Sequence, residues 1–322
     1  MKKILLPLLV IMLLLLQSWK WEPAADKSVL LPVLSAYHIF EGSPANLVPA
    51  KEYTPYELAT TLFSDYAEKQ RLVKVPAGFR LTPNGDQLPD FPEGAILVKT
   101  FFYYTDKRDT AKGRRIMETR VMIRTADAWQ AGTYQWNAAQ TDAVLITGGA
   151  TEKVQWTNAN GEQQSVRYEI PDQRSCRSCH QGNGMLLPIG PKLRNLNRTV
   201  LRNGKSVNQL QYLSHAGLLP ELDIAVITAL PSWDNEQVPL AERARAYLEV
   251  NCAHCHRSGG WAARTGLRFS YELSFEDTHI ERNGNRMVHK VAQGQMPKIG
   301  TTIVHAEGLA LIRSYINGLQ QQ

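Results

Sequence analysis

The chain is poor in the residues that usually carry crosslinks or chemistry. Its 322 residues include four cysteines and eight histidines, and no histidine lies between His38 and His180. All four cysteines fall in two short strings, so no pair remains for a structural disulfide and no thiol stands alone. Lysine and arginine outnumber the acids 36 to 30 without forming any block of five or six. That pattern excludes the basic tract of a nucleic-acid binder and leaves a solvated basic surface that could steer an acidic partner. No apolar run reaches the roughly 20 residues of a membrane span. The run Ile4 to Leu16 follows Met1-Lys2-Lys3 and ends at Gln17-Ser18, which predicts a secretory signal over residues 1–25. Export to the periplasm is the expectation. Anchoring to the inner membrane arises only if that segment stays uncleaved, with Trp19 and Trp21 at the interface. No cysteine follows the apolar run, so a lipid anchor on cysteine is excluded.

The two cysteine strings are Cys176-Arg177-Ser178-Cys179-His180 and Cys252-Ala253-His254-Cys255-His256. Each is C-x-x-C-H, the attachment pattern of a c-type haem. Two thiols three positions apart can each form a thioether to one haem vinyl group, and the adjoining histidine is then held against the iron. Paired zinc knuckles are usually roughly 15–20 residues apart, whereas Cys179 and Cys252 are 73 apart. A thioredoxin-like site needs a single C-x-x-C in a βαβ setting and leaves both histidines unexplained. Two covalently bound haem c groups, with His180 and His256 as iron ligands, are therefore expected.

The length allows two or three domains. Residues 26–77 are broken by prolines and carry one predicted helix, Tyr56 to Lys69; His38 is read as a packed or surface residue. Residues 78–172 read as strands. Ala95 to Tyr104 is β-rich, and Met117, Thr119, Val121 and Ile123 alternate with Glu118, Arg120 and Met122, the period of a half-buried strand. Asn160-Gly161 between two such runs signals a hairpin. The overall expectation is α+β: an N-terminal antiparallel, sandwich-like β domain, then two α-helical haem domains, the first degenerate, over residues 173–235 and 236–322. No helix has room to form ahead of the first motif, whereas Leu240, Ala244, Tyr247 and Leu248 predict one leading into Cys252. Leu309, Ile312, Tyr315, Ile316 and Leu319 predict a terminal helix crossing it. Met296-Pro297 lies 40 residues after His256 in a loop, where a thioether could swing over the distal face and give His/Met iron. Met287 is the lesser candidate, and His254, His279, His289 and His305 read as surface or packing residues. At the first site Met185 is too close to His180 to cross to the far face. His215, in a predicted helix from Val207 to Leu218, has a workable span as iron ligand and competes with a ligand from the β domain or an open iron.

Further likenesses follow from longer strings. Gly190-Pro191-Lys192-Leu193 resembles the loop after the motif in small class I cytochromes c, which implies that the Pro191 carbonyl accepts the free N–H of His180. The strings Tyr56-Glu57-Leu58, Leu62 to Lys69, Lys99-Thr100-Phe101, Glu118-Thr119-Arg120, Asn195 to Arg198, Asn251 to His256 and Val304 to Gly308 resemble an uncharacterised family of exported di-haem c-type cytochromes of Gram-negative bacteria. The chain is shorter than that family between about Thr278 and Met296. The family has no settled activity; its occurrence near parallel β-helix proteins implies a periplasmic β-helix protein as a partner. The function expected is electron transfer with an unidentified redox partner protein, more a carrier than a catalyst. The alternatives are a di-haem peroxidase-like oxidoreductase with an open first haem, and a recognition module with a redox relay. Against the enzyme, no residue near the first motif can be named as the acid or base that peroxide cleavage needs.

Overall fold

The computed structural model describes residues 29–182 and 184–320. The predicted signal segment lies outside them. The fold is α+β, built on a six-stranded antiparallel sheet in which every strand pairs with its neighbour in sequence. Its strands are β1 (Thr54–Pro55), β2 (Glu68–Lys74), β3 (Ile96–Tyr104), β4 (Arg114–Arg124), β5 (Trp129–Trp136) and β6 (Ala143–Ile146). Strands β7 (Ala150–Thr157) and β8 (Gln163–Ile170) form a separate hairpin whose turn places Gly161 at φ +87°, a left-handed backbone that glycine adopts without strain.

Both faces of the sheet are covered, which corrects the expectation of a half-buried β4. On one face Leu72, Val98, Ile116, Val121 and Tyr134 pack with Leu34, Tyr37 and Ile39 from the lead segment. On the other, one end lies under the hairpin, where Phe101, Tyr103 and Met117 meet Trp156 and Tyr168. The far end, with Val73, Leu97, Met122 and Trp129, packs on Leu193, Leu210 and Leu213. Glu118 and Thr119, neighbours on opposite faces of β4, are both fully buried. The alternation is also interrupted: Phe101 pairs with Glu118 but Phe102 with Ile116, so Met117 is an extra residue and turns to the same core as Phe101.

The second half of the chain begins with α1 (Gln173–His180), then β9 (Gln181–Gly182), β10 (Met185–Leu186), α2 (Leu193–Leu196), β11 (Thr199–Arg202), β12 (Lys205–Asn208) and α3 (Gln209–His215). It ends with α4 (Leu240–Asn251), α5 (Phe275–Thr278), α6 (Ile280–Ala292) and α7 (Ala306–Leu319). The apolar stripes predicted for α4 and α7 do meet: Ala244, Tyr247 and Leu248 pack with Leu311, Ile312, Tyr315 and Ile316, and Ile280 and Met287 of α6 complete the core. The crossing is close. A Cβ on Gly284 of α6 would lie 2.7 Å from Ile316 Cδ1, and one on Gly308 of α7 would collide with the Tyr247 ring. No helix among the described residues is long and apolar enough to cross a membrane.

The helix predicted over Tyr56 to Lys69 does not form. Asp65 and Tyr66 sit at φ +52° and +61°, which a right-handed helix cannot contain, and Glu68 onward pairs with β3. The segment is instead a strap whose polar groups are satisfied by distant side chains. Thr60 N–H donates to Asn195 Oδ1 at 2.9 Å while Asn195 Nδ2 donates to the Thr60 carbonyl at 3.0 Å. Phe63 N–H donates to Asn251 Oδ1 at 2.8 Å. The buried Asp65 carboxylate accepts from Thr302 N–H and Oγ1, each at 2.9 Å, and from Ile303 N–H at 3.3 Å. Phe63 also stacks on the His305 ring, centroids 4.2 Å apart. The strap thereby ties the sheet to α2, α4 and α7, and local helix propensity loses to these tertiary bonds.

Candidate functional site

The first motif occupies the last two turns of α1, which Asp172 starts by accepting from Ser175 N–H at 2.7 Å. Residues three apart on a helix share a face, so Cys176 and Cys179 project from the same side. Cys176 Sγ lies 4.0 Å from Thr133 Oγ1 of β5, which seats the helix against the sheet. His180 Nδ1 is 2.8 Å from the Leu187 carbonyl. A carbonyl can only accept, so Nδ1 carries the proton and Nε2 keeps a free lone pair. Burial, with Arg120, Lys99 and His254 adding to it against the Leu187 bond, pushes His180 down to about 4 and keeps it neutral. The acceptor corrects the one implied for Pro191. The hairpin of β9 and β10 turns the chain back so that Leu187 reaches the ring first, with Leu187 N–H in turn donating to the His180 carbonyl at 2.8 Å.

Pro191 lines the cavity onto which His180 opens, a space of about 540 Å³ between α1 and the sheet. Its sheet wall is Leu97, Lys99, Arg120, Met122, Trp129 and Thr133; its other wall includes Cys176, His180, Met185, Leu186 and Pro188. Arg120 is neutralised within the wall, because Glu118 accepts from its Nε at 2.8 Å and Nη2 at 2.6 Å and also from Tyr168 Oη at 2.6 Å. His215 does not reach this cavity. It ends α3 on the exposed surface, because Leu210 and Leu213 turn the opposite side of that short helix into the core. Met122 does face the cavity, whereas Met117 is fully buried in the hairpin core.

The second motif is delivered by α4. Cys252 caps it, and Cys255 and His256 N–H both donate to the Cys252 carbonyl, at 3.1 and 2.9 Å. His256 Nδ1 is 3.1 Å from Thr265 Oγ1. That hydroxyl already donates to the Ala262 carbonyl at 2.8 Å, so it meets the ring with a lone pair and the Nδ1 proton again leaves Nε2 free. Burial lowers His256, with His254 and Arg268 adding to it. Cys252, deeper in the helical core, is pushed up to about 12 by burial. Met296 lies half-buried in the loop between α6 and α7. The Lys298 ammonium, 5.4 Å from the centre of the Trp261 ring, brings that loop back onto the chain just beyond His256. Met287 is core, and His305 accepts or donates through Nδ1 to Tyr247 Oη at 2.9 Å.

The two motifs, far apart in sequence, meet. One ligand atom each of Cys179, His254 and Cys255 all lie within 4.8 Å of one another. Cys255 holds the Cys179 thiol up, ahead of burial, while Cys179 holds the Cys255 thiol down. Arg257 presses on Gly182 of β9, where a Cβ would collide with its guanidinium. His254, expected to be a surface or packing residue, is the residue that sequence reasoning missed; its Nδ1 is buried without a partner. The available signal was its place inside the second motif, between the two thiols. Three such donors could also hold a metal ion, although a closed zinc site needs a fourth ligand. No protein-family model matches the chain, and no curated protein and no solved structure matches it.

Proposed function

We propose that the chain is a periplasmic di-haem c-type cytochrome that transfers electrons, of the exported family whose strings it resembles, with its second half forming two haem domains, the first degenerate. The observation that carries this is the meeting of Cys179 and Cys255 at the junction of two C-x-x-C-H motifs. Both motif histidines present the same tautomer, with Nε2 free, and the first opens onto a largely apolar cavity of about 540 Å³, within the size range of cofactor sites. The residues fit the group. Cys176 and Cys179, and Cys252 and Cys255, would hold the two macrocycles, with His180 and His256 as proximal ligands and Met296 as the distal ligand of the second. Bound haem supplies one-electron chemistry. The protein's part is to fix each imidazole by its Nδ1 bond, to exclude water from the first cavity with Leu97, Met122 and Trp129, and to set the two attachment edges side by side, as short-range electron exchange requires.

The Cys179, His254 and Cys255 cluster favours one competing reading, a structural metal ion. The two are mutually exclusive, since a thioether sulfur no longer offers a thiolate. Intact mass and metal content of protein matured in a host with the c-type attachment machinery separate them. The mass of the polypeptide plus two haems, with iron and no zinc, is expected; a bare polypeptide with stoichiometric zinc would reject the cytochrome. The exposed position of His215 also keeps the oxidoreductase alternative in play, with an open first iron. A ferric spectrum that does not respond to peroxide, cyanide or carbon monoxide on reduction would remove it.

A further inference from the structure

The wall of the first cavity carries more positive charge than it neutralises. Across the strands one register row reads Arg71, Lys99, Arg120, Thr133 on one face of the sheet; the last three line the cavity, and Arg71 continues the row one strand beyond its lining. Arg120 has its counter-charge in Glu118. Among the described residues neither neighbour makes an ion pair of its own, although Glu118 acts on Lys99 and Glu57 on Arg71 from further off. Lys99 makes no hydrogen bond or ion pair among the described residues, its ammonium resting 4.7 Å over the Phe101 ring. Arg71, only 7 % exposed, has a buried Nη2 without a partner. The acid whose charge acts on Arg71 is Glu57, and Glu57 is already paired with Arg202 at 2.5 Å. Leaving one buried cation unpaired is costly, and here two stand side by side.

Resting on the cytochrome reading, we propose that Lys99 and Arg71 form a clamp for the two carboxylates of the first haem. The geometry of the row assigns the position. Thr133 touches Cys176, which fixes the thioether edge of the group. Adjacent strands are about 4.8 Å apart, so Lys99 stands roughly 10 Å and Arg71 roughly 14 Å from Thr133 along the row. Those separations are comparable to the width of a porphyrin, whose carboxylate arms leave the edge opposite its vinyl groups. Burial, with Arg71, Lys69 and Arg120 adding to it against Glu118, holds Lys99 well below its ordinary value, and a carboxylate placed beside it would restore its charge. The clamp neutralises the carboxylates and orients the macrocycle in the cavity, while the arms satisfy the two orphaned cations.

Holo-protein bearing Lys99→Met, Arg71→Met, Lys99→Arg or, as a control, Lys153→Met on the exposed side of β7 tests the clamp. Intact mass gives the haem count, resonance Raman spectra give the haem carboxylate bending bands, and potentiometry gives the two midpoints. The two methionine variants are expected to shift the carboxylate band of one haem and to lower one midpoint, leaving the other haem unchanged; Lys99→Arg and Lys153→Met keep the wild-type band. Should Lys99→Met fail to accumulate, Arg71→Met is read alone. Two haems with an unmoved band in the methionine variants overturn the clamp even if a midpoint falls, because a cation merely close to a porphyrin changes the midpoint only. A wild-type band that shifts on adding phosphate or acetate also overturns it, since the cations then serve a free anion. A wild-type mass lacking two haems removes the cytochrome reading and the clamp together, whereas an unmoved band removes the clamp alone.

Discussion

At the first motif the imidazole meets a backbone carbonyl and faces strands that lie far off in sequence; at the second it meets a threonine hydroxyl and the Phe269 ring, both from its own half of the chain. The carbonyl is fixed by the β9–β10 turn, while the hydroxyl is held by a single bond to Ala262. Burial depresses His180 to about 4, and His256 in the same direction. One five-residue pattern thus yields two sites with different sensitivities: the first depends on the sheet, the second on local helix packing and on the strap that docks it.

The largest test of that contrast removes the sulfurs. Replacing Cys176 and Cys179 by Ala, or Cys252 and Cys255 by Ala, is expected to lower the intact mass of holo-protein by one haem in each case. Loss of both haems from either variant would mean that the sites are not separate. Next, Glu118→Ala leaves Arg120 charged and unpaired in the wall of the first cavity. It should cost about 3–5 kcal/mol by urea denaturation and perturb the first haem spectrum before the second. Asp65→Ala acts on the other side. It strips the acceptor from Thr302 and Ile303, and should cost about 2–4 kcal/mol while loosening the helices that carry the second motif.

A pH titration sharpens the same comparison. Burial pushes His305 down to about 4, against the pull of Glu307, so the unfolded chain binds more protons between pH 6.5 and 4. Stability is then full above pH 6.5 and falls as pH drops through about 4, by on the order of 3 kcal/mol from this group. His305→Phe, which keeps the stack on Phe63, should flatten that part of the profile; an unchanged slope would rule His305 out as its source. The smallest effect belongs to Thr265→Val, which removes the acceptor from His256 at about 1 kcal/mol and leaves the haem count at two.

Much of the helical half was legible because its signals are local. The stripes of α4 and α7, the hairpin at Asn160-Gly161 and the two motifs were all read from spacing. The errors share a cause, which is pairing over long separations. Tyr56 to Lys69 has helical spacing, yet its N–H groups belong to Asn195 and Asn251. Glu118 and Arg120 read as a solvated face because nothing in β4 announces the second layer above it. Leu187 displaced Pro191 through a turn only two short strands long, and His254 gained its place when the motifs met. The strings that carried the family resemblance make sense in this light. Lys99, Glu118, Asn195, Asn251 and Glu307 are mostly polar groups placed where sheet, strap and helices join.

The bond from Asp65 to Thr302 spans 237 positions. During synthesis the loop carrying that aspartate waits until nearly the whole polypeptide has emerged, by which time both thiol pairs are already out. The latch therefore cannot form before both motifs have emerged, which makes the docking of the strap a late, long-range contact of this fold.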